Sequence, residues 1–166
     1  LFTSVSSPTQ RKLRLERICE KSCSDVIYIV LHDALYTFVP RSFLLNGPAV
    51  SERAPTLKSV TWLASRNPAA ADLSFLVFFH SSNKGCTASL DALRDLSNKL
   101  GSKLRIIIIT QEDSDKIAPI LTPYISERIG VALDHDKKVF GSFGVDFVPF
   151  SVLIDAKNRV LWMGNP

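Results

Sequence analysis

No apolar run in this sequence approaches the roughly 20 residues that a membrane-spanning helix needs. The longest, residues 26–31, stops at six, and residues 106–109 at four, so no membrane span is expected. Cysteine is scarce and odd in number, with only Cys19, Cys23 and Cys86. None of the asparagines opens an Asn-x-Ser/Thr sequon. Both absences argue against a disulfide-stapled secreted protein. There is no His-Glu-x-x-His, no phosphate-binding loop and no Gly-x-Ser-x-Gly, which removes the commonest metallopeptidase, nucleotide and hydrolase readings. Methionine occurs once, at Met163, so the sequence does not open on an initiator residue. Residues 1–14 are Ser- and Arg-rich and hold no acidic side chain. That is the character of the end of an organellar transit segment, and a mitochondrial location is the expectation.

What is present is an ordinary globular composition, 46% hydrophobic and 22% charged, enough for one domain with a core and an extension. The net charge of +4 is uneven. Arg11, Lys12, Arg14, Arg17 and Lys21 face only Glu16 and Glu20 near the start, whereas residues 75–166 nearly balance. A basic arm suits an acidic partner, RNA among them, although no RNA-binding signature or aromatic stacking platform accompanies it. Arg11, Lys12, Arg14 and Arg17 are therefore partner-binding candidates, and a solvated helix face is the plainer explanation of the same residues.

Residues 9–23 carry the pattern of an amphipathic helix, with Leu13, Leu15 and Ile18 apolar and Pro8 and Thr9 as start signals. Cys19 and Cys23, four apart, share a face of it. Packing explains them better than a metal pair or an interchain disulfide, because no His/Cys partner pair lies nearby. Residues 25–39 form a second apolar segment without alternation, read as helix. Pro40, Gly47-Pro48 and Pro55 punctuate a linker. The division is thus an extension and linker over residues 1–53 and a domain over residues 54–166.

From Ala54 onward strands and helices alternate. Strands are expected at residues 58–63, 75–79, 104–110 and 129–133, then a hairpin of 150–155 with 159–163 turning through Ala156, Lys157 and Asn158. Helices are expected at residues 86–100, with Leu90, Leu93, Leu96 and Leu100 on one stripe, at 113–121 and at 136–143. Gly101 and Gly144 supply their stop signals. Continuous apolar strands linked by helices mean parallel pairing, closed by the antiparallel hairpin. The Asp134-His135-Asp136 cluster is read as a turn rather than a cation site, and His80 as a packed residue rather than a base.

Three segments carry a resemblance. Ala54-Pro55-x-Leu57 precedes Trp62-Leu63. Phe78-Phe79-x-Ser-Ser-x-x-x-Cys86 runs from an apolar strand into a helix. Phe143-Gly144-Val145-x-x-Val148-Pro149-x-x-x-Leu153-Ile154-Asp155 is followed by Val160-x-Trp162-x-Gly164-Asn165-Pro166. Over about two-thirds of the chain this resembles the thioredoxin-like superfamily, in its TlpA-type and nucleoredoxin-like branch. The resemblance implies an α/β thioredoxin-like fold, a mixed central sheet flanked by helices, here with an N-terminal helical extension. It also implies a cis bond before Pro149, with the Val148 backbone beside the helix start, where the family pairs with extended substrate chain. The helix that normally covers one sheet face has no counterpart before residue 166, so further chain or another subunit is expected there.

The resemblance equates Asn83-Lys84-Gly85-Cys86 with the Cys-x-x-Cys tetrad of such enzymes, the first cysteine replaced by Asn83. A helix N-terminus lowers the pKa of the attacking thiol. Asparagine forms no thiolate, yet it is among the best helix-capping residues. The substitution keeps the local structure and removes the chemistry. The degenerate site comprises Asn83, Lys84, Gly85, Cys86, Val148 and Pro149, with no catalytic residue, metal or cofactor expected. The function implied is a redox-inactive domain serving as a structural or protein-binding subunit of a larger, mitochondrial assembly, a ribonucleoprotein being one candidate. The alternative is a single-cysteine thiol oxidoreductase or peroxidase using Cys86. A peroxidase motif fits poorly, with Asn83 three residues before the cysteine and Phe79 at its upstream proline position. A third class is a chaperone-like module holding extended peptides along the Pro149 groove.

Overall fold

Leu73–Phe79, seven consecutive buried residues, forms the central strand of the sheet. The computed structural model describes Gly47, Pro48 and residues 50–164. The expected segments 9–23 and 25–39, the basic residues Arg11, Lys12, Arg14 and Arg17, and Asn165 and Pro166 lie outside the described residues. Within them, β1 is Thr61–Trp62, β2 Leu73–Phe79, β3 Leu104–Thr110, β4 Ile129–Leu133, β5 Phe150–Asp155 and β6 Val160–Gly164. The helices are α1 (Lys84–Ala88), α2 (Leu90–Leu100), α3 (Ser114–Leu121) and α4 (Lys138–Phe143). The strands make one mixed sheet in the order β1-β4-β3-β2-β5-β6. Strands β2, β3 and β4 are parallel, and β1, β5 and β6 each join antiparallel to their inner neighbour.

Parallel central strands are covered on both faces, which is why residues 75–79 of β2 and 106–109 of β3 are unbroken apolar runs. On one face Leu76, Phe78, Ile107, Ile109, Phe150 and Val152 meet Val139, Phe140 and Phe143. Phe78 is the hub, with ring centroids 5.0 Å from Phe140, 5.3 Å from Phe143 and 6.1 Å from Phe150. Each such ring contributes about 1.5–3 kcal/mol by burial, with roughly 0.5–1.5 kcal/mol more from a well-oriented aromatic pair. The opposite residues of β2, Phe75, Val77 and Phe79, are buried as well.

Three local departures from the sequence expectation have physical reasons. The expected helix from Cys86 to residue 100 starts at Lys84 and is interrupted at Ser89, whose hydroxyl donates to the Cys86 carbonyl at 2.8 Å. Such back-bonding competes with the helix ladder and bends it. The buried stripe of α2 is accordingly Leu90, Leu93, Ser97 and Leu100, with Leu96 half-buried at its flank. Of the strand expected at residues 58–63 only Thr61–Trp62 pairs: residues 58–59 form a turn before it, and Ala64 and Ser65 take left-handed backbone just beyond it. Residues 51–53, assigned to the linker, add to the sheet edge. Ser51 N donates to the Val160 carbonyl at 2.7 Å and Val160 N to Glu52 at 2.9 Å, next to an Arg53–Arg159 bridge.

The two expected glycine stops are there: Gly101 ends α2 at φ 52° and Gly144 ends α4 at φ 63°. Among the described residues no helix is long and apolar enough to cross a membrane.

Candidate functional site

Strand β2 delivers the chain to its site through His80, Ser81 and Ser82, and α1 begins immediately after. Asn83 has extended backbone, and its side-chain oxygen accepts the Cys86 N–H at 3.1 Å. That bond satisfies one of the orphan amides of the first helical turn. The other end of the same carboxamide donates from Nδ2 to the Val148 carbonyl at 2.9 Å. One orientation of the amide thus serves both partners. The Val148–Pro149 peptide is cis. Gly85 closes the arrangement: a Cβ there would stand 3.1 Å from Asn83 Oδ1 and 3.5 Å from Pro149 Cγ and Cδ. The structure therefore brings Asn83, Gly85, Cys86, Val148 and Pro149 together. Lys84 sits on the exposed side of α1 and pairs with no carboxylate among the described residues.

Cys86 is fully buried and its thiol is free. Burial pushes its pKa up, against a lowering hydrogen bond from the His80 backbone, and the Glu112 carboxylate pushes it further up. Since the thiolate is the reacting form, each of the two upward effects works against nucleophilic attack at neutral pH.

Beside the thiol lies a polar cluster that sequence reasoning passed over. Glu112 follows β3 with its side chain only 4% exposed. Its carboxylate accepts Ser81 N at 2.7 Å and Ser81 Oγ at 2.6 Å, and pairs with Lys116 Nζ at 2.8 Å. Thr110 Oγ1 lies at 3.4 Å and His80 Nδ1 at 3.8 Å. Burial alone would raise this carboxyl's pKa. The bonds from Lys116 and Ser81, with His80 nearby, outweigh it and hold the pKa down at about 2. The cluster ties the β2–α1 loop to β3. Its one legible signal was the Glu112/Lys116 spacing of four, ordinarily a surface pair.

His80 does not pack into the core: its side chain is 42% exposed, with Nδ1 accepting from Ser82 N at 3.2 Å and sharing a hydrogen bond of 2.8 Å with Ser82 Oγ. The Asp134-His135-Asp136 cluster separates. Asp134 is buried and accepts Val139 N at 3.1 Å and Phe140 N at 2.9 Å, capping α4. Asp136 pairs with Lys138 at 2.7 Å, and His135 is exposed. Among the described residues no group of His, Cys, Asp and Glu is arranged to hold a metal ion.

No protein-family model matches the chain, and no curated protein is significantly similar to it. Solved structures are similar in fold. A peroxiredoxin-like protein from Aquifex aeolicus aligns with TM-score 0.59 at 12% identity, over 78% of this chain and 79% of its own. A thiol peroxidase from Chromobacterium violaceum aligns with TM-score 0.58 at 15% identity, over 72% and 78%. A candidate thiol:disulfide interchange protein DsbE from Chlorobium tepidum aligns with TM-score 0.57 at 19% identity, over 70% and 85%. At these identities the likeness speaks for architecture alone. Parallel β2, β3 and β4, the antiparallel pair β5–β6 and the helix start facing Pro149 together make this a thioredoxin-like fold.

Proposed function

We propose that this chain is a redox-inactive thioredoxin-like module, working as a structural or protein-binding subunit of a larger, mitochondrial assembly. One observation carries the reading. The residue heading α1, from which attack on a disulfide would come, is an asparagine fixed by hydrogen bonds to Cys86 N and the Val148 carbonyl. Thiol–disulfide exchange needs a thiolate to attack sulfur and form a mixed disulfide. A carboxamide does neither, and the remaining thiol is buried and hard to ionise.

The assembly part of the reading draws on the Ser/Arg-rich start and on Arg11, Lys12, Arg14 and Arg17, which suit RNA or an acidic protein surface. A ribonucleoprotein is the setting that would use both. Size fractionation of native extract, with and without ribonuclease, tests this. A stoichiometric large complex supports the reading, with a shift after ribonuclease assigning RNA to it. Elution at the size of the free chain removes it.

A single-cysteine thiol oxidoreductase or peroxidase working through Cys86 is the second reading. The place of Cys86 in the first turn of a helix favours it, as does the fold shared with the peroxidase named above. The complete burial of the thiol opposes it.

A further inference from the structure

The β2–β5 ladder ends at the pair Phe78–Phe150. Val148 lies two residues beyond it, so its peptide groups have no strand partner from the sheet. A strand end with free backbone groups is a template on which extended chain adds by main-chain hydrogen bonds. Here the carbonyl half of that template is filled from within. Asn83 Nδ2 donates to it at 2.9 Å while Asn83 Oδ1 accepts from Cys86 N at 3.1 Å. A side-chain carboxamide is chemically a peptide group, one N–H face and one C=O face, and offers Val148 what a neighbouring strand would offer.

The occupant is held firmly. Asn83 N bonds to the His80 carbonyl at 3.0 Å, and its own carbonyl accepts Thr87 N at 3.2 Å. A Cβ at residue 85 would stand a tight 3.1 Å from Asn83 Oδ1, so the glycine there lets the carboxamide lie close against the helix start. Swinging the amide aside would break the helix cap together with the bond to Val148. The other half of the template stays open: no group among the described residues accepts the Val148 N–H, and the adjoining Phe147 ring is 38% exposed.

We propose that Asn83 is a built-in occupant of the Val148 edge, keeping this end of the domain closed to pairing with extended polypeptide. The inference rests on the scaffold reading and deepens it, because the residue that removes the thiolate also closes the edge. Partner contact by a scaffold of this kind then uses surfaces other than strand addition at Val148.

Two variants separate the occupant from the cap. Asn83→Ala removes both bonds. Asn83→Asp keeps an excellent capping oxygen for Cys86 N but has no proton to donate to Val148. The probe is reduced, S-carboxymethylated insulin B chain, a soluble extended polypeptide without thiols, titrated while the backbone amides of Phe147, Val148 and Phe150 are followed by NMR. Thermal melts accompany the titrations, so that an unfolded variant is recognised and the Asp variant then decides. Freeing one hydrogen-bonded acceptor is expected to tighten binding at Val148 roughly two- to tenfold in both variants. Equal affinity in wild type and Asn83→Asp would overturn the proposal, as would tightening seen only in Asn83→Ala, which would trace to the lost cap. Binding of the B chain without any response at Val148 would overturn it too. Dithiol exchange by wild type would remove the scaffold reading, while the titration alone decides whether Asn83 closes the edge.

Discussion

The buried carboxylate of Glu112 should make the β2–α1 loop an acid-sensitive joint, and Glu112→Gln isolates it. At neutral pH the carboxylate accepts two hydrogen bonds from Ser81 and pairs with Lys116, whose side chain is itself 60% exposed. The exposed lysine contributes little, about 0.2–1 kcal/mol. The bonds from Ser81 to a charged acceptor contribute more, on the order of 1.5–3 kcal/mol each before allowing for what glutamine retains. The same balance can be read from proton binding. A carboxyl whose pKa falls from 4.5 unfolded to about 2 folded contributes about 3 kcal/mol in its ionised state. Because the folded pKa is the lower one, that contribution is complete above pH 4.5. It is lost as pH falls through the folded value near 2. Glutamine should therefore destabilise the protein at pH 7 by about 2–3 kcal/mol, a melting shift of roughly 4–12 °C for a domain of this size. The gap between variant and wild type should close progressively from about pH 4.5 to about pH 2. Urea unfolding at several pH values measures it. Two stability curves that stay parallel down to pH 2 would show that Glu112 is not held down by these contacts, and the reasoning would fail.

Cys86, fully buried, should alkylate at least about 100-fold more slowly in the native state than in denaturant. Rapid labelling already at pH 6 would reveal an exposed thiolate and favour the enzyme reading. Asp134→Ala should cost about 2–4 kcal/mol by urea unfolding, because Val139 N and Phe140 N would be left buried without acceptors. A loss below about 0.5 kcal/mol would mean that α4 needs no cap. Two glycines of the same region should respond oppositely. Gly144→Ala, at φ 63°, should destabilise by about 1 kcal/mol, and Gly141→Ala, inside α4 with open space around the new Cβ, should stabilise by about 0.5–1 kcal/mol.

Strands β2, β3, β4 and β5 were legible because largely apolar runs between turn signals leave few alternatives, and Leu104–Thr110, Ile129–Leu133 and Phe150–Asp155 stand where the pattern sets them. Elements that depend on side-chain hydrogen bonds were not. Nothing in the periodicity of residues 86–100 announces that Ser89 will bond to the Cys86 carbonyl and split the helix. The two-residue β1 is bounded by a turn at residues 58–59 and by positive φ at Ala64 and Ser65, residues with no preference for it. At the site, the capping role of Asn83 followed from its residue type and position, whereas its bond to Val148, 65 residues away in sequence, needed the fold. The Glu112 cluster was hidden for the same reason, since Ser81 and Glu112 are 31 residues apart. Asp134 was legible as part of a turn but not as the cap of α4, whose helix begins two residues later than its sequence suggests.

The central claim is that Asn83 ends thiol–disulfide exchange at this site, and insulin reduction by dithiothreitol addresses it most directly. Purified wild type, Cys86→Ala and a thioredoxin standard would be compared from pH 6 to pH 9. The account predicts that wild type and Cys86→Ala both match the uncatalysed rate across that range, because Asn83 supplies no thiolate and Cys86 is buried. Turnover by wild type that disappears in Cys86→Ala would contradict it.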